Sequence, residues 1–392
     1  MTPTGADLTS RDHRIDWLRG LALAMIFINH MPGNWLENWT LRNFGFSDAA
    51  EAFVLLAGIA SAFAYYRGFK AGQVQNIATK IARRARTLYL AHLASTVAAV
   101  SIFAFAAWAL QTPDYLDLIG VGPLFTDPIP GIIGILTGGH QLGYFNILPL
   151  YVVLLVMAPA LMWLARRDLR LMLAVSFSLY LLAQVAGAKL PSYPAEDGWY
   201  FNPLAWQLLF AIGLMLGALR LESKSLAWHP VAFAAALGYV AFSAVWMVAS
   251  IGGVVGDGYL PNAMGTLHKS NLPATRLAHV LALAYVLVHC PAWAWLNRLS
   301  AKHPLTRMGR NSLPVFCAGS LLSMAGYVVL VSTGGGIVIE TVLVVTGLSM
   351  IAGLAIALED GVAALVPHAA IRVAREAALQ TVDRVRTIGS LH

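Results

Sequence analysis

The sequence predicts an all-α polytopic membrane protein of about ten transmembrane helices, and three observations predict it. The chain is 58% hydrophobic and only 11% charged, whereas a soluble globular protein carries about a quarter charged residues. Apolar stretches long enough to cross a bilayer recur along its whole length. Its basic residues gather in alternate connections between those stretches, the pattern that orients membrane helices.

The apolar segments centre on 15–34, 47–67, 88–110, 144–165, 169–187, 203–219, 231–251, 277–296, 312–332 and 336–358. The first carries Arg19 within it and is followed by further spans, so it reads as a span and not as a cleavable signal. A Gly-rich piece at 129–142 is too short to span and is expected to form a short re-entrant or interfacial segment. Residues 1–367 form one membrane domain. The stretch 368–392 alternates Arg with Ala, Val and Leu and reads as an amphipathic tail on the cytoplasmic surface.

Placing the N-terminus inside puts 21 of the 26 Lys and Arg residues on inner segments. The outer loops then hold only Arg42, Lys189, Lys269 and Arg276. The positive-inside rule therefore puts both termini in the cytoplasm. The net charge of +7 is spread over short loops and builds no basic domain, which speaks against nucleic acid as a partner. Cys290 and Cys317 both fall in apolar spans, which argues against a disulfide framework or a zinc site. No HExxH, P-loop, GxSxG or GxGxxG stands in a usable context, and no metal is expected.

The chemistry concentrates in the first span. Arg19 and His30 lie eleven residues apart, so a helix returns them to nearly one face about 16 Å apart in depth. Asp16 sits one turn before Arg19 on that face, and Asn29 adjoins His30. Ionisable groups on a membrane helix face a cavity or the bundle interior, because lipid penalises them. An imidazole suits general-base work on a hydroxyl, and a guanidinium binds carboxylate or phosphate in a fork. The competing readings are a packing histidine and an Arg19–Asp16 ion pair.

The run Thr40-Leu-Arg42-Asn43-Phe-Gly-Phe-Ser-Asp48-Ala-Ala-Glu51 opens the second span. Asp48 and Glu51 have the spacing of a helix N-cap with its capping-box partner. A short hairpin also brings them beside the outer end of the first helix, where a carboxylate would orient the His30 imidazole. His140, Tyr144 and Asn146 flank the Gly-rich piece, and Trp206 opens the sixth span; all four are weaker candidates for substrate binding. Outer aromatics, including Tyr193, Trp199, Tyr200 and Phe201, fit either an interfacial belt or a surface for sugar rings.

Arg19-x10-His30 resembles the R-x10-H signature of the acyltransferase-3 membrane superfamily. Phe53-Val-Leu-Leu-Ala57-Gly58 resembles that superfamily's second-span element, with Ala57 where serine is usual. The runs Arg14–Leu21, Phe27–Gly33 and Thr40–Glu51, with Tyr144–Tyr151, Phe201–Gln207 and Gly309–Phe316 further on, resemble the OpgC family of inner-membrane proteins over nearly the whole chain.

The resemblance implies an O-acyltransferase that moves a succinyl or other acyl group from cytoplasmic acyl-CoA to hydroxyls of a periplasmic glucan. Arg19 and His30 are the motif positions, as donor binder and general base. Asp48 and Glu51 join the candidate catalytic set from the reading of the residues. Asp16, Asn29, Arg42, Asn43, His140, Tyr144, Asn146 and Trp206 form the candidate substrate-binding set. Acyl-CoA is a co-substrate and no permanently bound cofactor is expected. Membrane lipid, acyl-CoA and the glucan are the partners, and a homo-oligomer is left open. The alternatives are a transporter of acyl groups or glycans, or a non-catalytic member of a glucan-synthesis complex.

Overall fold

Ten of the described helices coincide with the expected apolar segments, because those segments satisfy their backbone hydrogen bonds internally. The computed structural model describes residues 12–194, 198–251, 267–296 and 298–365, and these contain no strand. The first helix, α1 (His13–Asn29), is capped by Asp12, whose carboxylate accepts the Arg14 N–H. α2 (Ala49–Lys70) follows, with one turn of π-helix at Ala62–Tyr66. Then come α3 (Val74–Ala109), α4 (Pro128–Thr137), α5 (Ile147–Arg167) and α6 (Leu169–Val185). The remaining helices are α7 (Pro203–Leu221), α8 (Pro230–Ile251), α9 (Ala274–His289), α10 (Pro304–Arg310), α11 (Ser312–Thr333) and α12 (Ile337–Leu365).

Seven of these, α2, α3, α5, α7, α8, α11 and α12, are long and apolar enough to cross a membrane, and the chain is a multi-pass membrane protein. α1, α6 and α9 have 17, 17 and 16 residues, short of the roughly 20 of an untilted span. The expected 277–296 span is interrupted, because Cys290 is extended before Pro291 and the helix stops at His289. α3 begins at Val74, well before the expected start at 88. The basic stretch there is amphipathic, burying Ile77, Ile81, Ala85 and Leu88 at helical spacing. α4 covers only part of 129–142 and ends at Gly138 in the left-handed conformation. It exposes Ile129, Ile132, Ile133 and Leu136 while burying its glycines. The 368–392 tail and its boundary with the membrane domain lie outside the described residues.

α2 and α7 form the centre of the bundle and are buried along most of their length. They cross at glycines: a Cβ on Gly58 would collide with the Phe210 carbonyl, and one on Gly213 with the Leu55 carbonyl. Close crossings at small residues are how helices gain contact where lipid offers no hydrophobic drive. α1 packs against α2, α11 and the short α10. The α1–α10 crossing is tighter still, with Gly20 against the Leu305 backbone and Gly309 against the Asp16 backbone. Arg310 to Glu359 at 2.8 Å and Arg307 to Asp360 at 3.2 Å tie α10 to α12. α8 packs on α9 and turns most of its surface outward. Near Arg67, Lys70 reaches Glu222 at 2.5 Å and joins the ends of α2 and α7. Hydrogen bonds from Lys70 and then Lys224 hold the Glu222 carboxyl down at about 2.

Replacing Gly58 by Leu will therefore force α2 and α7 apart. Overpacking of this kind costs about 1–3 kcal/mol, read as a lowered melting temperature of the purified protein in detergent. Gly238→Ala on α8 meets nothing within 4 Å and will leave the melting temperature unchanged or slightly raised.

Candidate functional site

α1 stops at His30, where Pro32 prevents continuation and Asn34 takes over the free carbonyls. The Asn34 amide donates to Ile28 O at 2.9 Å and Met31 O at 2.6 Å, and its oxygen accepts the Glu37 N–H. That last bond opens a 3-10 turn at Trp35–Trp39, and a second turn follows at Leu41–Asn43. Thr40 Oγ1 donates to the Asn29 side chain at 2.7 Å, and the Asn43 amide donates to Glu37 O. The α1–α2 hairpin is thus hydrogen-bonded throughout, and it carries Arg42 and Asp48 back to the end of α1.

Asp48 and Glu51 form the capping box expected of their spacing: Ala50 N–H donates to Asp48 Oδ1, and Asp48 N–H donates to Glu51 Oε2 at 2.9 Å. Both carboxylates are buried, and burial of charge requires cations. Arg276, on the first turn of α9 and equally buried, supplies one with two arms. Its Nε meets Glu51 Oε1 at 2.6 Å and its NH2 lies 3.5 Å from Asp48 Oδ2. Lys269 Nζ also pairs with Asp48 Oδ2, and its side chain is 31% exposed. Next to this cluster His279 Nδ1 shares a hydrogen bond of 2.7 Å with Ser47 Oγ and accepts the Ser47 N–H, pinning the residue before the cap.

The opposite wall comes from the segment before α5. Tyr144 stacks on the His30 ring, with centroids 4.5 Å apart and planes at 15°. His30 Nδ1 is buried without a hydrogen-bond partner among the described residues. The third wall is Tyr200 and Phe201, at the approach to α7. The start of α7 also sets the position of Lys269. Trp206 Nε1 donates to the Lys269 and Ser270 carbonyls at 3.1 and 3.2 Å, and Asn202 bonds the Asn271 side chain. Together these walls enclose about 580 Å³ of atom-free space, part of it open to solvent.

Of the residues expected from sequence, Asn29, His30, Arg42, Asp48, Tyr144 and Asn146 line this cavity. Glu51 lies behind Asp48 and fully buried. Trp206 stands outside the lining and holds the Lys269 loop. Asn43 bonds within the hairpin. His140 bonds the Gly120 carbonyl and packs edge-on against Tyr193, away from the cavity. Arg19 lies deeper on α1, near Asp16 at 3.7 Å and the carbonyls of Gly309 and Leu56 at 3.4 and 3.5 Å. It faces α2 and α10, and Leu23 and Ile26 fill the stripe between it and His30, with Ile26 forming part of the cavity floor. Asp48 makes no hydrogen bond to His30; its carboxylate is committed to Ala50, Lys269 and Arg276.

Lys269 and Arg276 belong to the site although the sequence marks them only as outer-loop charges. Two buried acids at the start of one helix need counter-ions, and Lys269 and Arg276 supply them. No group of His, Cys, Asp and Glu able to hold a metal occurs among the described residues.

Arg276→Met will strand the buried Glu51 carboxylate, leave Asp48 with Lys269 as its remaining cation, and destabilise the fold by about 3–5 kcal/mol, measured by thermal unfolding. Adding Glu51→Gln to that variant will recover part of the loss, since only Asp48, still paired with Lys269, then remains charged.

No curated protein and no solved structure matches the chain. The model of one family, described as OpgC protein, matches residues 11–361 and so covers α1 to most of α12, with every wall of the cavity inside it. The chain belongs to the OpgC protein family.

Proposed function

We propose that the chain is an inner-membrane O-acyltransferase of the acyltransferase-3-like superfamily. It would move a succinyl or other acyl group from cytoplasmic acyl-CoA to a hydroxyl of a periplasmic glucan. The observation that carries this reading is His30 on the wall of a polar cavity, stacked on Tyr144 and bordered by the aromatic side chains of Tyr200 and Phe201. With ten spans and both termini in the cytoplasm, as this reading requires, the cavity would open on the periplasmic side, where a sugar arrives, and Arg19 would lie toward the inner face, where anionic CoA arrives.

In this reading His30 accepts the proton of the glucan hydroxyl as its oxygen attacks the thioester carbonyl carbon. The tetrahedral intermediate collapses with cleavage of the C–S bond. The CoA thiolate leaves and receives the proton from the imidazolium, so the products are a glucan ester, free CoA and neutral His30. The stack on Tyr144 holds the imidazole plane still during both proton transfers. Arg19, about 16 Å deeper on the same helix face, binds an anionic group of the donor. Leu23 and Ile26 close the stripe between the two residues in this conformation, so donor entry requires those side chains to part. Asp48 acts on His30 through the field of the cavity and not through a hydrogen bond.

The test is glucan-dependent CoA release from succinyl-CoA and acetyl-CoA by purified protein. His30→Ala will reduce it by about 10²–10⁴-fold, the range of a general base, with the melting temperature retained. Arg19→Ala will raise the KM for acyl-CoA. Equal release by wild type and His30→Ala would sink the reading in favour of a transporter or a non-catalytic partner.

A further inference from the structure

The buried stripe of α3 turns polar halfway along the helix. Leu88 belongs to the main apolar core, whereas Ala99 and Phe103 belong to a second one with Phe145 and Met324. His92, Ser95 and Thr96 lie between them and are buried. α11 packs against α3 and changes in the same way. Its Val315 and Phe316 join the main core, Met324 joins the second, and Ser320 and Ser323 are buried between. The polar stretches meet, because Ser95 hydrogen-bonds with the Cys317 thiol. Backbone carbonyls satisfy part of this layer: Ser95 Oγ donates to Ala91 O at 2.7 Å and Ser323 Oγ to Ser320 O at 3.0 Å. Both ring nitrogens of His92, Thr96 Oγ1 and Ser320 Oγ are buried with no hydrogen-bond partner among the described residues. His92 is only 1% exposed, and Thr96 stands one turn beyond it on the same face.

A buried polar group left unpaired carries its full desolvation cost. Neither α11 nor α3 beyond Arg86 contains an Asp, Glu, Lys or Arg, so the layer suits a neutral ligand that both donates and accepts hydrogen bonds. Apolar cavities stay dry, whereas sites offering about two to four polar partners hold water. We propose that α3 and α11 bind ordered water between them, on His92, Thr96 and Ser320. A neutral imidazole presents one nitrogen as donor and the other as acceptor, facing different directions. A single water therefore cannot serve both, and the site takes a small cluster. The layer stands apart from the His30 cavity, whose lining includes Phe316 but none of these residues. It holds whether or not the chain is an acyltransferase. α3 and α11 then cohere through a shared ligand as well as through direct packing.

The experiment compares thermal unfolding of the purified full chain with that of Thr96→Val, Ser320→Ala, His92→Leu and the triple variant. Thr96→Val keeps the side-chain shape and removes only the hydroxyl. With water bound, each single change withdraws one partner and strands the others, and lowers the melting temperature by about 2–4 °C. The triple variant, with no polar group left to serve, will lose less than the sum of the singles. Unpaired groups in a dry seam respond in the opposite way. Thr96→Val and Ser320→Ala variants as stable as wild type or more so, or losses that simply add, would overturn the proposal. The direct readout is magnetisation transfer from water to the His92 ring N–H in protein labelled with nitrogen-15 histidine, assigned by its loss in His92→Leu. Transfer is expected, and a wild-type His92 signal without it would overturn the proposal as well. If the triple variant fails to fold, the two hydroxyl variants and the water transfer decide the question.

Discussion

The buried fork of Arg276 across Glu51 and Asp48 is the contact on which the rest of the site depends. Two carboxylates at the start of α2 satisfy the first backbone N–H groups of that helix, which is a local requirement. Packing α9 against that end takes their hydration away, and only a cation in the same place makes the burial tolerable. One guanidinium then ties α2 to α9 at their ends. The hairpin after α1 is anchored on the same corner through Ser47 and His279. His30, Arg42 and Lys269 inherit their positions from it.

The Lys269 loop shows how a side chain far from a cavity can shape it. Trp206 is wholly buried, yet its indole N–H fixes two carbonyls of the loop that delivers Lys269. Tyr180 does the same from α6, donating to the Leu272 carbonyl. The apolar centre of the bundle, α6 and α7, thus dictates where a charged group meets solvent. Rigidity of the scaffold becomes placement of the cation.

Most of the helices are legible in the sequence because an apolar run in a bilayer has one way to satisfy its backbone. Boundaries are less legible where polarity and helicity part company. Residues 74–87 are too basic to read as a span but helical all the same, and Pro291 cuts an apolar run that composition alone would continue. α10 escapes because it is short and polar. On the site, the spacing of Arg19 and His30 and the acid pair at Asp48 and Glu51 are visible in one dimension. Lys269 and Arg276 are not, because what brings them to α2 is a long-range packing of loops that no local pattern encodes, and Tyr200 and Phe201 stand out in the sequence only as two of several outer aromatics. The chain also hides the cost of its acids: a capping box reads the same whether water or an arginine lies beyond it.

The crossing of α1 with α10 acts as a depth stop. Gly20 and Gly309 let the two backbones touch at this crossing. Sliding α1 by one residue, about 1.5 Å, would bring Leu21 or Arg19 to the contact, and neither fits against a carbonyl. The vertical setting of α1 is therefore quantised by two hydrogen atoms in place of side chains. Because the helix is continuous from Arg19 to Asn29, one stop at its lower end also sets the level at which the imidazole stands. The distance between the two ends of the stripe is then a property of helix geometry, and the membrane around it can thicken or thin without changing it.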